Sequence, residues 1–497
     1  MKTLRYFLLF SIVAAFLFTS CESLEVENLN DPDFETAFSN PSDVKGVAGS
    51  LMNTWYMTVQ NYNGIALGLW VAADAGTCSW GNAGMRDLSY EPRIAWDNTA
   101  AYSNANVTET VYKWLYAGLA SANEVLGKVV VGDMVIETED GTDETPMVAA
   151  FAHLAQGLNL GYIGLLYDKG YITTENTDLT QTLEVYPWNQ VIDTAVMCLD
   201  KCIAICATNT FTLPGSWIPG INMTNVRVSE LANTVAALLL SYSPRNKAQN
   251  DAVNWGKVLS YANKGLTYDF APVMDDISWY NLYHTYAHYG GWGQTDMRLV
   301  NMMDPRFPAR WTDAGTWDVL PEPATAHVDG IDDRIFTDFE FLETCGFRVE
   351  RGYYHFSCYR SQRYDDMLAT WTTPEEGFMK AENDLLKAEA LMHQPDLTGA
   401  AAIINAGTRV TRGRLAPVAA TAAVVEAAIF YERHIELHGT GCGLEFFIMR
   451  KANKLQAGTP LHFPIPGQQL EVNQMENYTF GPGKGVAGED YSNGGWF

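Results

Sequence analysis

The chain has 497 residues, 32 basic and 58 acidic, for a formal charge of −26 at pH 7. So acidic a surface argues strongly against nucleic acid as a partner, because phosphate is bound through basic patches, and against docking on anionic lipid. The length allows several ordinary domains or one large helical body, and 47% hydrophobic residues are ample for its core.

The first stretch reads as an address. Lys2 and Arg5 precede an apolar run from Tyr6 to Phe18, too short to span a bilayer and suited to a signal-peptide core. Thr19 and Ser20 then lead into Cys21 and the acidic Glu22-Ser23-Leu24-Glu25-Val26-Glu27. This is the pattern of a bacterial lipoprotein signal over residues 1–20, with Cys21 as the lipidated first residue of a body spanning 21–497. Phe18 and Ser20 replace the more usual Leu and the more usual Gly or Ala. The alternative is a secretory signal with an incidental cysteine. Two or more acyl chains on Cys21 would anchor the protein stably, where one binds only marginally. Loss of Lys2 and Arg5 leaves 30 basic residues against 58 acidic ones, a formal charge of −28. No later stretch is long and apolar enough to span a bilayer.

Seven further cysteines, Cys78, Cys198, Cys202, Cys206, Cys345, Cys358 and Cys442, are odd in number and irregular in spacing, which is no disulfide framework. Cys198, Cys202 and Cys206 recur every fourth residue along one helix face. Zinc sites use tighter pairs with a distant second pair, so these three read as buried small hydrophobes.

The elements are mostly helices. Val111, Leu115, Leu119, Ala122 and Leu126 step at helical spacing with Trp114, Gly118 and Val125. Met147 to Tyr167 is a long apolar helix whose Ala149, Ala152, Gly157, Gly161 and Gly164 let a neighbour come close. Leu231, Val235, Leu238 and Tyr242 form the next stripe. Asp251 to Leu266 follows the break at Pro244. Phe378 to Met392, Ala400 to Val410, Ala422 to Leu437 and Leu444 to Lys454 complete the set. Short links suggest antiparallel pairs stacked as in a tetratricopeptide array, although no strict repeat period is present. The helical scaffold is expected over roughly 40–268 and 374–455.

Two stretches break this pattern, Ala72 to Asn106 and a loop-rich lobe at roughly 270–373. Loops so long are functional or disordered, and aromatic density argues against disorder. Trp279, Tyr280, Tyr283, Tyr286, Tyr289 and Trp292 crowd into fourteen residues. Neither a helix nor a strand places them all on one side, so some should face solvent or a cleft. Flat rings with nearby Asp, Asn and Arg suit a carbohydrate, whose C–H face packs on the ring while its hydroxyls bond planar polar groups. The competing reading makes these rings the wall of a core. The earlier stretch offers Trp70, Asp74, Trp80, Asn82, Arg86, Asp87 and Trp96, with Gly76, Gly81 and Gly84 to admit a ligand.

Catalytic signatures are weak. His434-Ile435-Glu436-Leu437-His438 has its glutamate misplaced for a zinc protease, and these histidines read as surface or satisfied core residues. No nucleophile elbow, phosphate loop or dinucleotide fingerprint is present. Acidic pairs are too plentiful to single out a glycosidase dyad.

Several segments, in order, resemble the SusD/RagB family of outer-membrane nutrient-binding lipoproteins. They are Asn28-Leu29-Asn30-Asp31-Pro32 after Cys21, Pro41-Ser42-Asp43-Val44 leading to Gly49 and Trp55-Tyr56, Trp114-Leu115-Tyr116-Ala117 with Ala122-Asn123-Glu124, Lys380-Ala381-Glu382, Tyr431-Glu432-Arg433-His434-Ile435-Glu436-Leu437, and Pro460-Leu461-His462-Phe463-Pro464-Ile465-Pro466. The stretch His438 to Arg450 departs from the family pattern, with only Arg450 in place. The resemblance implies about eight helices in tetratricopeptide-like pairs beside an irregular lobe, no catalytic residue and no cofactor. It implies an oligosaccharide ligand held by an aromatic arc from two loop regions, for which Trp80, Arg86, Trp96, Tyr286, Tyr289 and Trp292 are the candidates. It further implies a SusC-like TonB-dependent transporter as partner and a surface-exposed, lipid-anchored place on the outer membrane. The alternatives are a surface glycoside hydrolase using carboxylates such as Asp74, Asp87, Asp296 and Asp304, and a helical scaffold that binds peptide or protein.

Overall fold

Asn40 and Pro41 start the first helix. The Asn40 side chain accepts from the Asp43 backbone N–H at 3.0 Å, and Pro41 occupies a position that needs no donor. Helix α1 then runs Pro41–Val59. The computed structural model describes residues 38, 40–61, 64–77, 81–90, 93–310, 321–343 and 357–480. In chain order, α2 (Ala66–Ala72), β1 (Gly76–Thr77) and α3 (Met85–Ser89) precede the long helices α4 (Asn106–Leu126) and α5 (Thr145–Leu166). A hairpin of β2 (Lys169–Tyr171) and β3 (Val185–Pro187) leads into α6 (Trp188–Thr208) and α7 (Asn225–Tyr242). Short helices α8 (Lys247–Asp251) and α9 (Trp255–Ala262) follow.

Each long helix packs on the next: α1 on α4, α4 on α5, α5 on α6, α6 on α7 and α7 on α9. This is the stacking of a tetratricopeptide-like array, in which every unit buries its apolar stripe against its neighbours. Helix α5 sits at the centre and is buried almost all round. Its glycines set the spacing. A Cβ on Gly157 would fall 2.5 Å from the Leu199 side chain of α6, and one on Gly161 would fall 2.6 Å from Leu239 of α7. Cys198, Cys202 and Cys206 lie buried on α6, and burial pushes the Cys198 thiol up to about 12.

The chain then enters the irregular lobe through α10 (Leu282–His288), β4 (Gln294–Thr295), α11 (Met297–Met303), α12 (Arg334–Thr337), β5 (Phe339–Phe341), β6 (Tyr359–Ser361) and α13 (Asp365–Thr370). It returns to the array through α14 (Lys380–His393), α15 (Leu397–Ala406), α16 (Thr408–Thr411), α17 (Ala422–Ile435), α18 (Leu444–Lys451) and α19 (Gly467–Val472). α14 packs on α9, α15 and α17. One large core runs from Phe38 to Leu470, with a smaller cluster beneath α14, α15 and α17.

Several expected bounds shift. The single helix expected over 251–266 is two, because Asn254 caps α9 by accepting from the Lys257 N–H at 3.0 Å. The helix expected from Ala400 begins at Leu397, where Asp396 accepts from Gly399 N–H at 2.9 Å. It ends at the extended Gly407 rather than at Val410. The drifted stretch before Arg450 does concern packing: the Arg450 guanidinium donates to Leu165 and Tyr242 carbonyls at 2.9 and 2.8 Å. It thereby satisfies orphan acceptors at the ends of α5 and α7.

Candidate functional site

The lobe is bolted to the array by buried charge. Arg334, fully buried at the start of α12, donates from Nε and Nη2 to Asp332 at 3.0 and 2.7 Å. Its Nη1 reaches Glu432 at 2.7 Å and Glu436 at 3.2 Å, at the end of α17. Burial alone would favour the neutral guanidine, but Glu432 and Asp332 hold Arg334 well above its ordinary pKa. His434 and His438 lie in the core behind this seam rather than on a surface.

Two loop regions far apart in sequence meet along β1 and β4. Thr77 pairs with Gln294 and Gly76 with Thr295, antiparallel. Arg298 reinforces the seam by donating to the Asp74 and Ala73 carbonyls, each at 3.0 Å, while Arg93 pairs with the Asp74 carboxylate at 2.9 Å. Asp74 is thus a buried tie and not an open carboxylate. Asp296 caps α11, and Asp304 grips Arg306 at 2.7 Å.

The aromatic run divides along its length. Helix α10 covers only Leu282–His288, capped by Asn281. Trp279, Tyr283 and Tyr286 are buried at 4%, 2% and 6% exposure, whereas Tyr289 and Trp292 are 48% and 47% exposed. The tail of the run leaves the core because α10 stops at His288 and the chain turns. The Trp292 N–H bonds the Tyr289 carbonyl at 3.0 Å, and Gly291 supplies φ +88°. A Cβ on Gly293 would meet the Ala287 carbonyl at 2.8 Å, so glycine is required there too. The Tyr289 and Trp292 rings stand 5.3 Å apart at 52°, and buried Tyr286 lies 5.3 Å beneath Trp292.

The support of this pair is rigid. His284 faces Glu375 from Nδ1 at 2.5 Å and the Gly439 carbonyl from Nε2 at 2.6 Å, with Tyr364 stacked on its ring at 3.8 Å. His288, the last residue of α10, packs edge-on to His284. Burial, with His284 and His438 beside it, holds its pKa well below the usual histidine range. Arg360 on β6 donates to the His288 carbonyl at 3.2 Å, and to Asp365 and Glu340 at 2.7 and 2.5 Å. Glu340 and Asp365 are about half exposed. The neighbourhood of Tyr289 and Trp292 therefore presents flat apolar faces together with charge-paired acceptors and a guanidinium.

The candidates fall into three groups. Tyr289 and Trp292 form the exposed pair. Trp96 and Tyr286 do not reach solvent and are corrected to wall residues: the Trp96 indole is 3% exposed and packs edge-on against Tyr102 and Phe463 at 5.1 and 5.5 Å. Arg86 is half exposed on α3 beside Asp87 at 3.3 Å, and Asp87 also accepts from Tyr102. Trp80 and Cys21 lie outside the described residues. Trp70 is core as well, and Gly76 serves it rather than a ligand, since a Cβ there would sit 1.9 Å from the indole. Arg360, Glu340 and Asp365 were not legible in the sequence, because Arg360 is 72 positions from His288 and only the β5–β6 pairing brings them together.

Solved structures share this architecture. The SusD superfamily protein from Parabacteroides distasonis superposes with a TM-score of 0.59 at 14% identity, covering 86% of this chain and 98% of its own. Surface glycan-binding protein A from Bacteroides uniformis gives 0.59 at 14% identity, covering 87% and 97%. A SusD-like carbohydrate binding protein from Bacteroides vulgatus gives 0.55 at 14% identity, covering 83% of each. No protein-family model and no curated protein matches the chain. The fold is that of the SusD superfamily: mainly α, with tetratricopeptide-like helix pairs and an irregular lobe.

Proposed function

We propose that this protein is a glycan-binding lipoprotein of the bacterial cell surface, and that Tyr289 and Trp292 form its sugar platform. The observation that carries the reading is the solvent-exposed pair of rings, held on a buried histidine-carboxylate support beside Arg360, Glu340 and Asp365. Sugar rings pack their C–H faces on such indoles and phenols, and their hydroxyls donate to carboxylates and accept from guanidinium N–H groups. The structural neighbours titled as glycan-binding and carbohydrate-binding proteins support the same ligand class. Arg86, and Trp80 outside the described residues, are further candidate ligand contacts from the first loop region. Residues 1–20 are the signal and Cys21 the lipid-bearing residue of the body 21–497. Ligand passes from the platform to a SusC-like TonB-dependent transporter in the outer membrane. The protein binds without cleaving. Asp74, Asp296 and Asp304 are committed to structural bonds, and Asp87 to Arg86 and Tyr102, so none of the four carboxylates weighed for the hydrolase reading stands free.

Titration of oligosaccharides against the protein tests this. Trp292→Ala should weaken binding roughly tenfold or more while leaving the helical circular dichroism and melting temperature unchanged. Unchanged affinity in both Trp292→Ala and Tyr289→Ala, or cleavage of the bound oligosaccharide, would refute the reading.

A further inference from the structure

A cavity of 820 Å³ lies elsewhere in the molecule, between α8, α11, α14, α17 and α18. Its charge runs against that of the chain. Acidic residues outnumber basic ones 58 to 32 overall, yet this cavity is lined by Arg433, Lys451 and Lys454 together with Lys247, which pairs with Asp251 and Glu426, and Arg298, which is bonded to the Asp74 and Ala73 carbonyls, and by the acids Glu389 and Glu426. Glu426 is matched by Lys247 at 3.5 Å. Glu389 is shared: Arg433 Nη1 donates to it at 2.7 Å and Lys451 Nζ at 2.8 Å, and Lys451 Nζ donates also to the Ser241 carbonyl and hydroxyl at 3.0 and 2.8 Å. Nε and Nη2 of Arg433 have no hydrogen-bond partner among the described residues. Lys454 has no ion pair among them either and lies over the Phe430 ring at 5.3 Å. Burial pulls the Lys451 ammonium down to about 7, with Glu389 opposing the fall and Arg433 adding to it. The rest of the wall is apolar, through Met302, Met392, Ile429 and Phe430.

We infer that this cavity is a binding site for an organic carboxylate, separate from the aromatic platform. The anionic head accepts from Nε and Nη2 of Arg433 and faces the Lys454 ammonium, which has no ion pair among the described residues. The body of the ligand covers the methionine and phenylalanine wall, and water expelled from both favours binding. Either a free acid with an apolar body or the acidic residue of a saccharide could supply the carboxylate.

Calorimetric titration of the full chain carrying Cys21→Ser decides the matter, with phenylacetate, neutral phenylacetamide and glucuronate as probes. A carboxylate should bind at least about tenfold more tightly than phenylacetamide. Phenylacetate above glucuronate identifies a free apolar acid, and the reverse order identifies an acidic saccharide. Two substitutions at exposed positions keep the fold intact: Lys454→Glu should weaken the carboxylate about tenfold, and Ala427→Trp, at the mouth, should abolish binding. The inference is overturned if neither carboxylate binds, if phenylacetate and phenylacetamide bind equally, or if both variants bind as the parent does.

Discussion

Trp292 holds its indole half in water, while Trp96 is closed in by Tyr102 and Phe463. The two residues should answer alanine substitution differently. Trp96→Ala should cost about 3–5 kcal/mol of stability, read as a shift of the chemical-denaturation midpoint, because it leaves a cavity as well as losing apolar contact. Trp292→Ala should alter ligand affinity alone. The buried histidines carry a pH signature of their own. In the folded protein burial, with Arg363 and Arg298 nearby, holds His438 down to about 3, while its ordinary value is 6.5. Between those values only the unfolded chain takes up that proton. Its contribution to stability is therefore lost as pH falls from 6.5 toward 3, by up to about 1.4 kcal/mol per pH unit. His438→Phe, beside Phe339 and Trp70, removes that proton site. Denaturation at successive pH values should show the parent losing stability relative to the variant below pH 6.5 and not above it.

The short elements of the lobe do not hold themselves together. β1 with β4 and β5 with β6 are ladders of two and three residues, too small to be stable alone. Their stability comes from the clamps at their edges. Arg334 joins α12 to α17, and removing one partner of a buried charge network leaves the others unpaired. Arg334→Ala should therefore cost about 3–5 kcal/mol in denaturant titration, and limited proteolysis should cut first in the lobe. The helical array was legible because its stripes repeat at helical spacing over fifteen or more residues, as in α4, α5 and α7. Its boundaries were less so. Asn254 and Asp396 each moved a helix end by capping, and polar residues of that kind are also ordinary loop residues. Helices α10 to α13 span four to seven residues and carry too little periodicity to be read at all.

At the scale of the whole molecule, the described residues join a helical array to a lobe seated on it, and the amino-terminal address is a proposal. Cys21→Ser tests the address: the parent should sediment with the outer-membrane fraction and the variant should not. Among the described residues no helix is long and apolar enough to cross a membrane, so retention of the variant in membranes would contradict anchoring through Cys21.

The sequence by itself determined the local matters: the helices from their stripes, and the close approach of a neighbouring helix to α5 from its small residues. It also showed that six crowded aromatics could not all share one face. Which rings stay in water was decided only by the tertiary structure. Burial depends on where α10 stops and on what α2 and β6 bring against it. The partners of Tyr289 and Trp292, namely Arg360, Glu340 and Asp365, come from distant segments, and no local spacing encodes that meeting.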